Sequence, residues 1–140
     1  MAKRVFVSLN PKAGRTDSND KVSRFCELLR KNGFDPRVIS DLEQLQVEAE
    51  KAFQAGQLRT IVAAGGDGTA SLLAGMFSPR IPLTLLPLGT ENLLAKYLLL
   101  NDSIEDVAEA IVQGNTVRLD CGRANGKLFL VMASCGFDAD

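Results

Sequence analysis

The 140-residue sequence contains no histidine, and this absence excludes several kinds of active site. A Ser-His-Asp triad, a histidine general base and a His-ligated zinc site all need an imidazole that the chain does not have. The three cysteines, Cys26, Cys121 and Cys135, are odd in number and lack CxxC spacing. This pattern predicts reduced thiols in a cytosolic protein, and we expect Cys26 and Cys121 to be buried.

Long apolar runs and a surplus of positive charge are also missing. No apolar stretch reaches the length that spans a membrane. The 16 Lys and Arg residues against 17 Asp and Glu give a formal net charge of −1, so no basic surface for nucleic acid is expected. With 46% hydrophobic residues and both charge signs interspersed, the length predicts one globular domain with its own core.

What the sequence does contain is an alternation of strand and helix signals. Short β-branched or apolar runs predict strands at 4–9, 35–39, 60–64 and 81–87. The last run is continuously apolar, which is typical of a strand buried on both faces. Helical spacing predicts helices that begin near Asp20, Asp41, Thr69, Asn92 and Ser103. We therefore predict a three-layer α/β fold with a mainly parallel sheet flanked by helices.

Capping residues mark where the helices begin and end. Asp41 followed by Gln44, and Ser103 followed by Asp106, have the spacing of N-terminal caps, and Asn32-Gly33 is a helix stop. The second helix is expected to bury an apolar stripe formed by Leu42, Leu45, Ala49, Ala52 and Phe53.

The C-terminal part changes character. Strand-like segments at 117–122 and 127–132 are joined by Asn125-Gly126, a strong hairpin signal, so we predict an antiparallel pair there. An unpaired edge with apolar side chains at Leu128, Leu130 and Met132 favours a homodimer built edge to edge.

The rest of the chain is organised around the stretch from Thr60 to Thr69, in which a predicted strand breaks into Gly65-Gly66-Asp67-Gly68 before a helix. Glycines at this point permit a sharp turn and let backbone N–H groups approach a ligand without a Cβ in the way. The positive end of the helix dipole also suits a phosphate. A carboxylate at Asp67 repels a phosphate unless a cation or proton lies between them, so the turn favours a metal-bound nucleotide. The alternative is a plain tight turn with Thr69 as the N-cap.

Two further turns of this kind follow predicted strands. Residues 10–15 carry two cations and a turn cluster, and residues 88–92 again open a helix. Because the carboxyl ends of parallel strands share an edge, we expect all three turns to line one phosphate pocket. Lys12 then supplies a cation and Asp67 a link to metal, directly or through water. By itself, the first turn could also be an ordinary solvated loop. The pocket residues expected from the two further turns are Asn10, Lys12, Gly14, Gly89, Thr90 and Asn92.

Four motifs, taken in order, resemble the catalytic domain of diacylglycerol kinases and bacterial lipid kinases, which is related to sphingosine and ceramide kinases. They are Asn10-Pro11-Lys12-Ala13-Gly14, Gly65-Gly66-Asp67-Gly68-Thr69, Pro87-Leu88-Gly89-Thr90-Glu91-Asn92 and Gly136-Phe137-Asp138-Ala139. The resemblance covers essentially the whole chain. It implies that residues 1–140 are an N-terminal nucleotide-binding domain, and that a second, β-rich domain lies outside this chain. Mg-ATP and a lipid hydroxyl would meet in the cleft between the two.

The resemblance also implies roles for particular residues. Ser40 stands where the family has a threonine near the base or ribose, and Thr90 contacts nucleotide. The stretch implied to contact nucleotide is Gly66, Asp67, Gly68, Thr69, Ala70, Ser71 and Leu72. Leu72 and Leu93 depart from the acids that family members usually carry there. The general base and much of the lipid site belong to the second domain, so the 140-residue chain alone is expected to be inactive.

Two alternatives stay open. An NAD kinase shares Gly-Gly-Asp-Gly-Thr but takes a soluble acceptor, and the motifs at 10–14 and 136–139 argue against it. A nucleotide-binding module without turnover is favoured by Leu72, Leu93 and the missing second domain. For the kinase we expect a cytoplasmic protein that contacts a membrane peripherally to reach its lipid.

Overall fold

A computed structural model of the chain describes residues 3–9, 16–88, 103–114, 116, 122–124 and 127–129. Within these ranges four parallel strands form the main sheet: β1 (Arg4–Leu9), β2 (Asp35–Ile39), β3 (Leu58–Gly65) and β4 (Leu83–Pro87). The helices are α1 (Thr16–Lys31), α2 (Leu42–Gln54), α3 (Asp67–Met76) and α4 (Ile104–Gln113). The predicted α/β fold with a parallel sheet is confirmed, and α1 begins four residues before the expected Asp20.

The strands lie in the order β2-β1-β3-β4. The chain leaves β1 toward β2 on one side and then returns past β1 to form β3 on the other. The direction of winding therefore reverses between β1 and β3. The carboxyl ends of the strands are nearly level, since Leu9 is paired with Ala64 and Gly65 with Pro87.

Helices cover both faces of the sheet, because apolar residues alternate along the strands. Val5 and Val7 of β1 pack with α1 and α4, whereas Phe6 between them packs with α2 and α3. Each face thus has its own buried cluster. Cys26 of α1 belongs to the first, as expected for a buried thiol, while Cys121 lies outside the described residues.

Two expectations about burial are corrected. Leu42 is 37% exposed, so the buried stripe of α2 begins at Leu45. The first turn of α2 follows β2, the edge strand of the described sheet, so there is little sheet beneath this turn to bury its side chains. The strand expected at 81–87 is shorter, and Leu83, Thr84 and Leu85 are only half-buried. In the described sheet β4 pairs with β3 alone, which leaves its other edge without a strand.

The predicted caps are confirmed. The Asp41 carboxylate accepts from the N–H groups of Glu43 and Gln44 at 2.9 and 3.2 Å, and the Ser103 hydroxyl accepts from Asp106 N–H at 3.3 Å. The turns after α1, α2 and α4 contain Gly33, Gly56 and Gly114, with φ of 85°, 72° and 73°. A left-handed residue at a helix end releases the chain from the helix, and glycine adopts it without strain.

Arg59 joins the amino end of β3 to the carboxyl end of α4, which sequence patterns did not predict. Its guanidinium donates to the Ile111 carbonyl at 2.7 and 3.0 Å and to the Val112 carbonyl at 3.0 Å. The same group lies over the Phe34 ring, 5.4 Å from its centre. A cation at these terminal carbonyls also opposes the negative end of the helix dipole.

The C-terminal hairpin is confirmed as an antiparallel pair, β5 (Gly122–Ala124) and β6 (Lys127–Phe129). The rest of the predicted strands, at 117–121 and 130–132, and the Asn125-Gly126 turn lie outside the described residues. The β6 backbone lies beside α3. Among the described residues, none of the helices has the length and apolar character needed to cross a membrane.

Candidate functional site

The junction between β3 and α3 is very short. β3 ends at Gly65, α3 begins at Asp67, and Gly66 between them is the N-cap in an extended conformation with φ −104° and ψ −165°. The alternative in which Thr69 is the N-cap is therefore wrong, because Thr69 is the third residue of the helix. Glycine offers no side-chain oxygen to the first turn, and the first N–H groups of a helix have no partner within it. They are available to an acceptor beyond the strand ends.

The glycines at this junction are not needed for a left-handed turn. Among the described residues positive φ occurs at Gly33, Gly56 and Gly114, so Gly65, Gly66 and Gly68 have backbone angles that other residues also adopt. Of the two reasons expected for these glycines, the one that remains for Gly66 and Gly68 is close approach of a ligand to the backbone.

Gly66 and Gly68 leave open space where a side chain would otherwise stand. A Cβ built at either position meets no heavy atom of the other described residues within 4 Å. Gly68 is also exposed. A ligand can therefore approach the backbone N–H groups of residues 66–69 without a Cβ in the way, and we call this stretch of backbone the proposed cradle.

Gly65 has a different reason to be glycine. A Cβ at Gly65 would lie 2.7 Å from Oγ1 and 3.3 Å from Cβ of Thr69. The carbonyl of Gly65 also accepts a hydrogen bond from Leu88 N–H at 3.1 Å, which ties the end of β3 to the residue after β4. Sequence reasoning missed this packing, since a glycine four residues before a threonine has no distinctive pattern.

The side chains of α3 divide sharply between core and solvent. Ala70 is 1% exposed and packs in the core with Leu73, so any ligand contact it makes is through its backbone. Thr69 and Ser71 are half-buried, and Leu72 is 49% exposed. The side chain of Asp67 lies outside the described part of the chain, and its backbone opens the helix.

Ser40 lies at the same edge of the sheet as this junction. It is exposed and follows Ile39, which is paired with Ser8 near the end of β1. Two strand spacings, about 10 Å, separate β2 from β3 across the sheet. The structure thus brings Ser40 and the 65–72 stretch to one edge.

The other expected site residues lie outside the described residues: Asn10, Lys12, Gly14, Gly89, Thr90 and Asn92. Their loops still have defined starting points. The 10–15 loop begins where β1 ends beside Ala64, and the 89–102 segment begins at Leu88 beside Gly65. Both loops therefore leave strands that flank the junction.

The place of the junction in the topology favours ligand binding. In open α/β sheets ligands bind outside the carboxyl ends of the strands, where the direction of winding reverses. Here that reversal lies between β1 and β3, so the crevice lies beyond the end of β1 at Leu9 and beside Gly65-Gly66 at the end of β3. The sequence pattern had placed the glycine turn at a strand end without indicating which strands are neighbours.

The described ionisable groups with shifted pKa values are not at this junction. Burial raises the pKa of the Cys26 thiol, and the cation of Arg30 opposes that shift only in part. The pKa of the Glu105 carboxyl is lowered by its own backbone N–H and by the Ser103 hydroxyl at the start of α4. The described residues also contain no group of three or more His, Cys, Asp or Glu able to hold a metal ion.

Comparison with known proteins gives one consistent result. The family model for the diacylglycerol kinase catalytic domain matches residues 4–124. A protein named probable lipid kinase YegS-like from Cronobacter sakazakii is 36% identical over 94% of this chain. A diacylglycerol kinase from Staphylococcus aureus is 26% identical over 97% of it.

Solved structures agree with the fold. A diacylglycerol kinase from Bacillus anthracis superposes with a TM-score of 0.67 over 91% of this chain and 49% of its own, at 23% identity. A second structure from the same organism gives a TM-score of 0.68 at 25% identity. The chain spans about half the length of the curated relatives it matches, 46% and 44% for the two proteins above.

Proposed function

The chain belongs to the diacylglycerol kinase catalytic-domain family, and on that premise we propose that it forms the nucleotide-binding part of an ATP-dependent lipid kinase. The γ-phosphoryl group of Mg-ATP is transferred to a lipid hydroxyl, of the diacylglycerol or sphingoid type. The observation that carries the proposal is the uncovered backbone at Gly66 and Gly68, at the reversal point of the sheet.

The backbone at the start of α3 suits the phosphates of a nucleotide. The unpaired N–H groups of the first turn and the positive end of the helix dipole both favour an anion. Charge-assisted hydrogen bonds from N–H groups to phosphate oxygens are among the stronger ones in proteins. Phosphoryl transfer needs mainly positioning and neutralisation of charge, so a backbone cradle is a sufficient main component.

The nucleotide is proposed to lie along the carboxyl edge of the sheet. Its phosphates bind over β3 and α3, and its ribose or base reaches Ser40 after β2. β1 lies between β2 and β3 in the strand order, and the chain that follows it contains Asn10, Lys12 and Gly14. In this arrangement Lys12 neutralises phosphate charge from the side of β1.

Mg²⁺ fits this site when it is held mainly by phosphate. Magnesium is commonly bound by one or two carboxylates together with substrate phosphates and waters, which does not need a cage of protein ligands. Asp67, at the first position of α3, would supply one carboxylate directly or through water. The ion would neutralise charge on the phosphates, while the α3 backbone fixes their position.

We assign the remaining parts of the reaction to the part of the related kinases that this chain does not span. The acceptor hydroxyl must lose its proton. The chain has no histidine and Asp67 is assigned to the metal, so the base and lipid cleft are proposed to lie in a β-rich second domain. A cytoplasmic protein that contacts the membrane peripherally would then meet its lipid there. A homodimer through the β5–β6 edge is part of the same proposal.

A specific observation also favours a second candidate, a nucleotide-binding module without turnover. Leu72 is 49% exposed on α3, one turn beyond Gly68, so an apolar side chain borders the proposed cradle. A carboxylate there could help to position a metal, and leucine cannot.

The test is to titrate ¹⁵N-labelled chain with Mg-ADP and follow its amide signals. The proposal expects the largest shifts at residues 65–72, at Ser40 and in the 10–15 loop. Shifts confined to the opposite edge, around Gly33 and Gly56, would refute the site. A protein that also contains the proposed second domain would then be tested for transfer of labelled phosphate from ATP to diacylglycerol or sphingoid micelles. Transfer supports the kinase, and nucleotide binding without transfer supports the binding module.

A further inference from the structure

We propose that Thr69 is a positioning residue that interlocks with Gly65 and sets the direction of the N–H groups at the start of α3. This inference rests on the proposed nucleotide site and deepens it. The resemblance placed Thr69 among the residues that contact nucleotide. The packing assigns its side chain instead to the end of β3.

The first step is the space that Thr69 occupies. Its Oγ1 lies 2.7 Å from the position of a Cβ on Gly65, closer than real Cβ contacts allow, and its Cγ2 lies at 3.8 Å. No other heavy atom is among the three nearest to that position. Gly65 has no positive φ, so the volume of Thr69 accounts for the glycine.

The second step is that Gly65 cannot easily move away. Its carbonyl is bound by Leu88 N–H at 3.1 Å, and its register with Pro87 continues the β3–β4 ladder. The end of β3 is therefore held in place by its hydrogen bonding to β4 and to the residue that follows β4. Only one residue separates Gly65 from α3, so contact with Thr69 fixes the helix relative to the strand.

The third step connects this contact to the ligand. Asp67, Gly68 and Thr69 form the first turn of α3 and carry the N–H groups of the proposed cradle. A side chain inserted at Gly65 would push Thr69, and with it this turn, away from the strand end. The cradle would then be displaced without the loss of any group that touches the ligand.

The experiment enlarges the side chain at position 65 and reduces the one at position 69, separately and together. Gly65→Ala should weaken Mg-ADP binding about 10- to 100-fold, as expected for the loss of about one hydrogen bond to a charged group. Thr69→Ala removes Oγ1 and Cγ2, which makes room for the new methyl group. In the double variant Gly65→Ala/Thr69→Ala, the ADP affinity should return to within about twofold of that of the Thr69→Ala single variant. About twofold is the deviation usually found when one substitution has no further effect in the presence of another.

Gly66→Ala provides the matched control, because a Cβ there meets no heavy atom within 4 Å in the part of the chain that the structure describes. Its effect on binding should not be relieved by Thr69→Ala, so the second double variant should show additive losses. The amide shifts of residues 67–69, measured without nucleotide, should move in Gly65→Ala and return in its double variant.

Additive losses in Gly65→Ala/Thr69→Ala would overturn the inference and leave the nucleotide site intact, since Thr69 would then act on the ligand directly. If the parent chain binds no Mg-ADP, the proposed function fails instead. The interlock is then judged by the ligand-free amide shifts and by thermal unfolding. If Gly65→Ala does not fold, recovery of a folded double variant supports the interlock, and failure to recover refutes it.

Discussion

Replacing Gly68 with alanine should make the protein more stable and, at the same time, less able to bind nucleotide. Gly68 lies in the first turn of α3 without a positive φ, and a Cβ there meets no described heavy atom beyond the backbone of its own helix within 4 Å. At a compatible position, Gly→Ala raises the free energy of unfolding by about 0.4–1 kcal/mol, mainly because the unfolded chain has less conformational freedom to lose on folding. For a domain of this size that corresponds to a rise in Tm of about 1–4 °C.

The loss of binding comes from the same methyl group. It would stand in the space through which phosphate oxygens approach the backbone N–H groups. Losing one or two hydrogen bonds to a charged group costs about 1.5–3 kcal/mol each, or roughly a 10- to 100-fold rise in the Kd for Mg-ADP or more. Calorimetric titration and thermal unfolding on the same sample measure both effects.

Gly75→Ala is the matched control. Gly75 is exposed on the same helix, seven residues further along, which is about 10 Å from Gly68. Its replacement should leave the affinity for Mg-ADP unchanged. A Gly68→Ala protein that is stabilised and binds nucleotide as tightly as the parent would refute the cradle, because no folding defect could then explain the result.

The remaining predictions concern other parts of the chain. Asp67→Asn should abolish the Mg²⁺ dependence of ADP binding and cost at most about 1 kcal/mol of stability, as for an acid at a helix N-terminus, and unchanged Mg²⁺ dependence would refute its metal role. Arg59→Leu should destabilise the fold by about 1–3 kcal/mol in urea unfolding, because the Ile111 and Val112 carbonyls lose their donor. It should not change ADP affinity, since Arg59 lies six residue steps along β3 from Gly65, a distance of about 20 Å. Because burial raises the pKa of the Cys26 thiol, its contribution to stability is complete below the ordinary thiol pKa of about 8.5 and is lost as pH rises through the raised value. Unfolding curves from pH 7 to 10 should show that loss in the parent and less of it in Cys26→Ala. Finally, residues 1–140 alone should be folded but transfer no phosphate to lipid in a labelled-ATP assay, and robust Asp67-dependent transfer would contradict the assignment of the base to another domain.

The parts of the fold that sequence predicted are those decided by neighbouring residues. The caps at Asp41 and Ser103 and the left-handed stop at Gly33 depend on a few consecutive positions, and each lies where it was expected. Burial of Leu42 depends instead on whether sheet lies beneath the first turn of α2. No local pattern contains that information, since it follows from β2 being at the edge of the described sheet.

In the candidate site, too, the features set by neighbouring residues were predictable and those set by the tertiary structure were not. The glycine turn and the helix that follows it were predictable from local chemistry around Gly66 and Asp67. The strand order was not predictable from them, and it is what places this turn at the reversal between β1 and β3. The reason for Gly65 likewise needed coordinates, because it depends on where the Thr69 hydroxyl lies.

The left-handed glycines offer a practical use of this architecture. Gly33, Gly56 and Gly114 each follow a helix, and in a parallel α/β sheet such turns lie at the amino edge, opposite the proposed cradle. A fluorophore or surface tether attached to an exposed neighbour such as Asn32 or Ala55 would stand about 25 Å from the cradle, the length of the eight-residue β3. Binding could then be recorded on immobilised protein with the opposite edge left clear for nucleotide, membrane or a second domain.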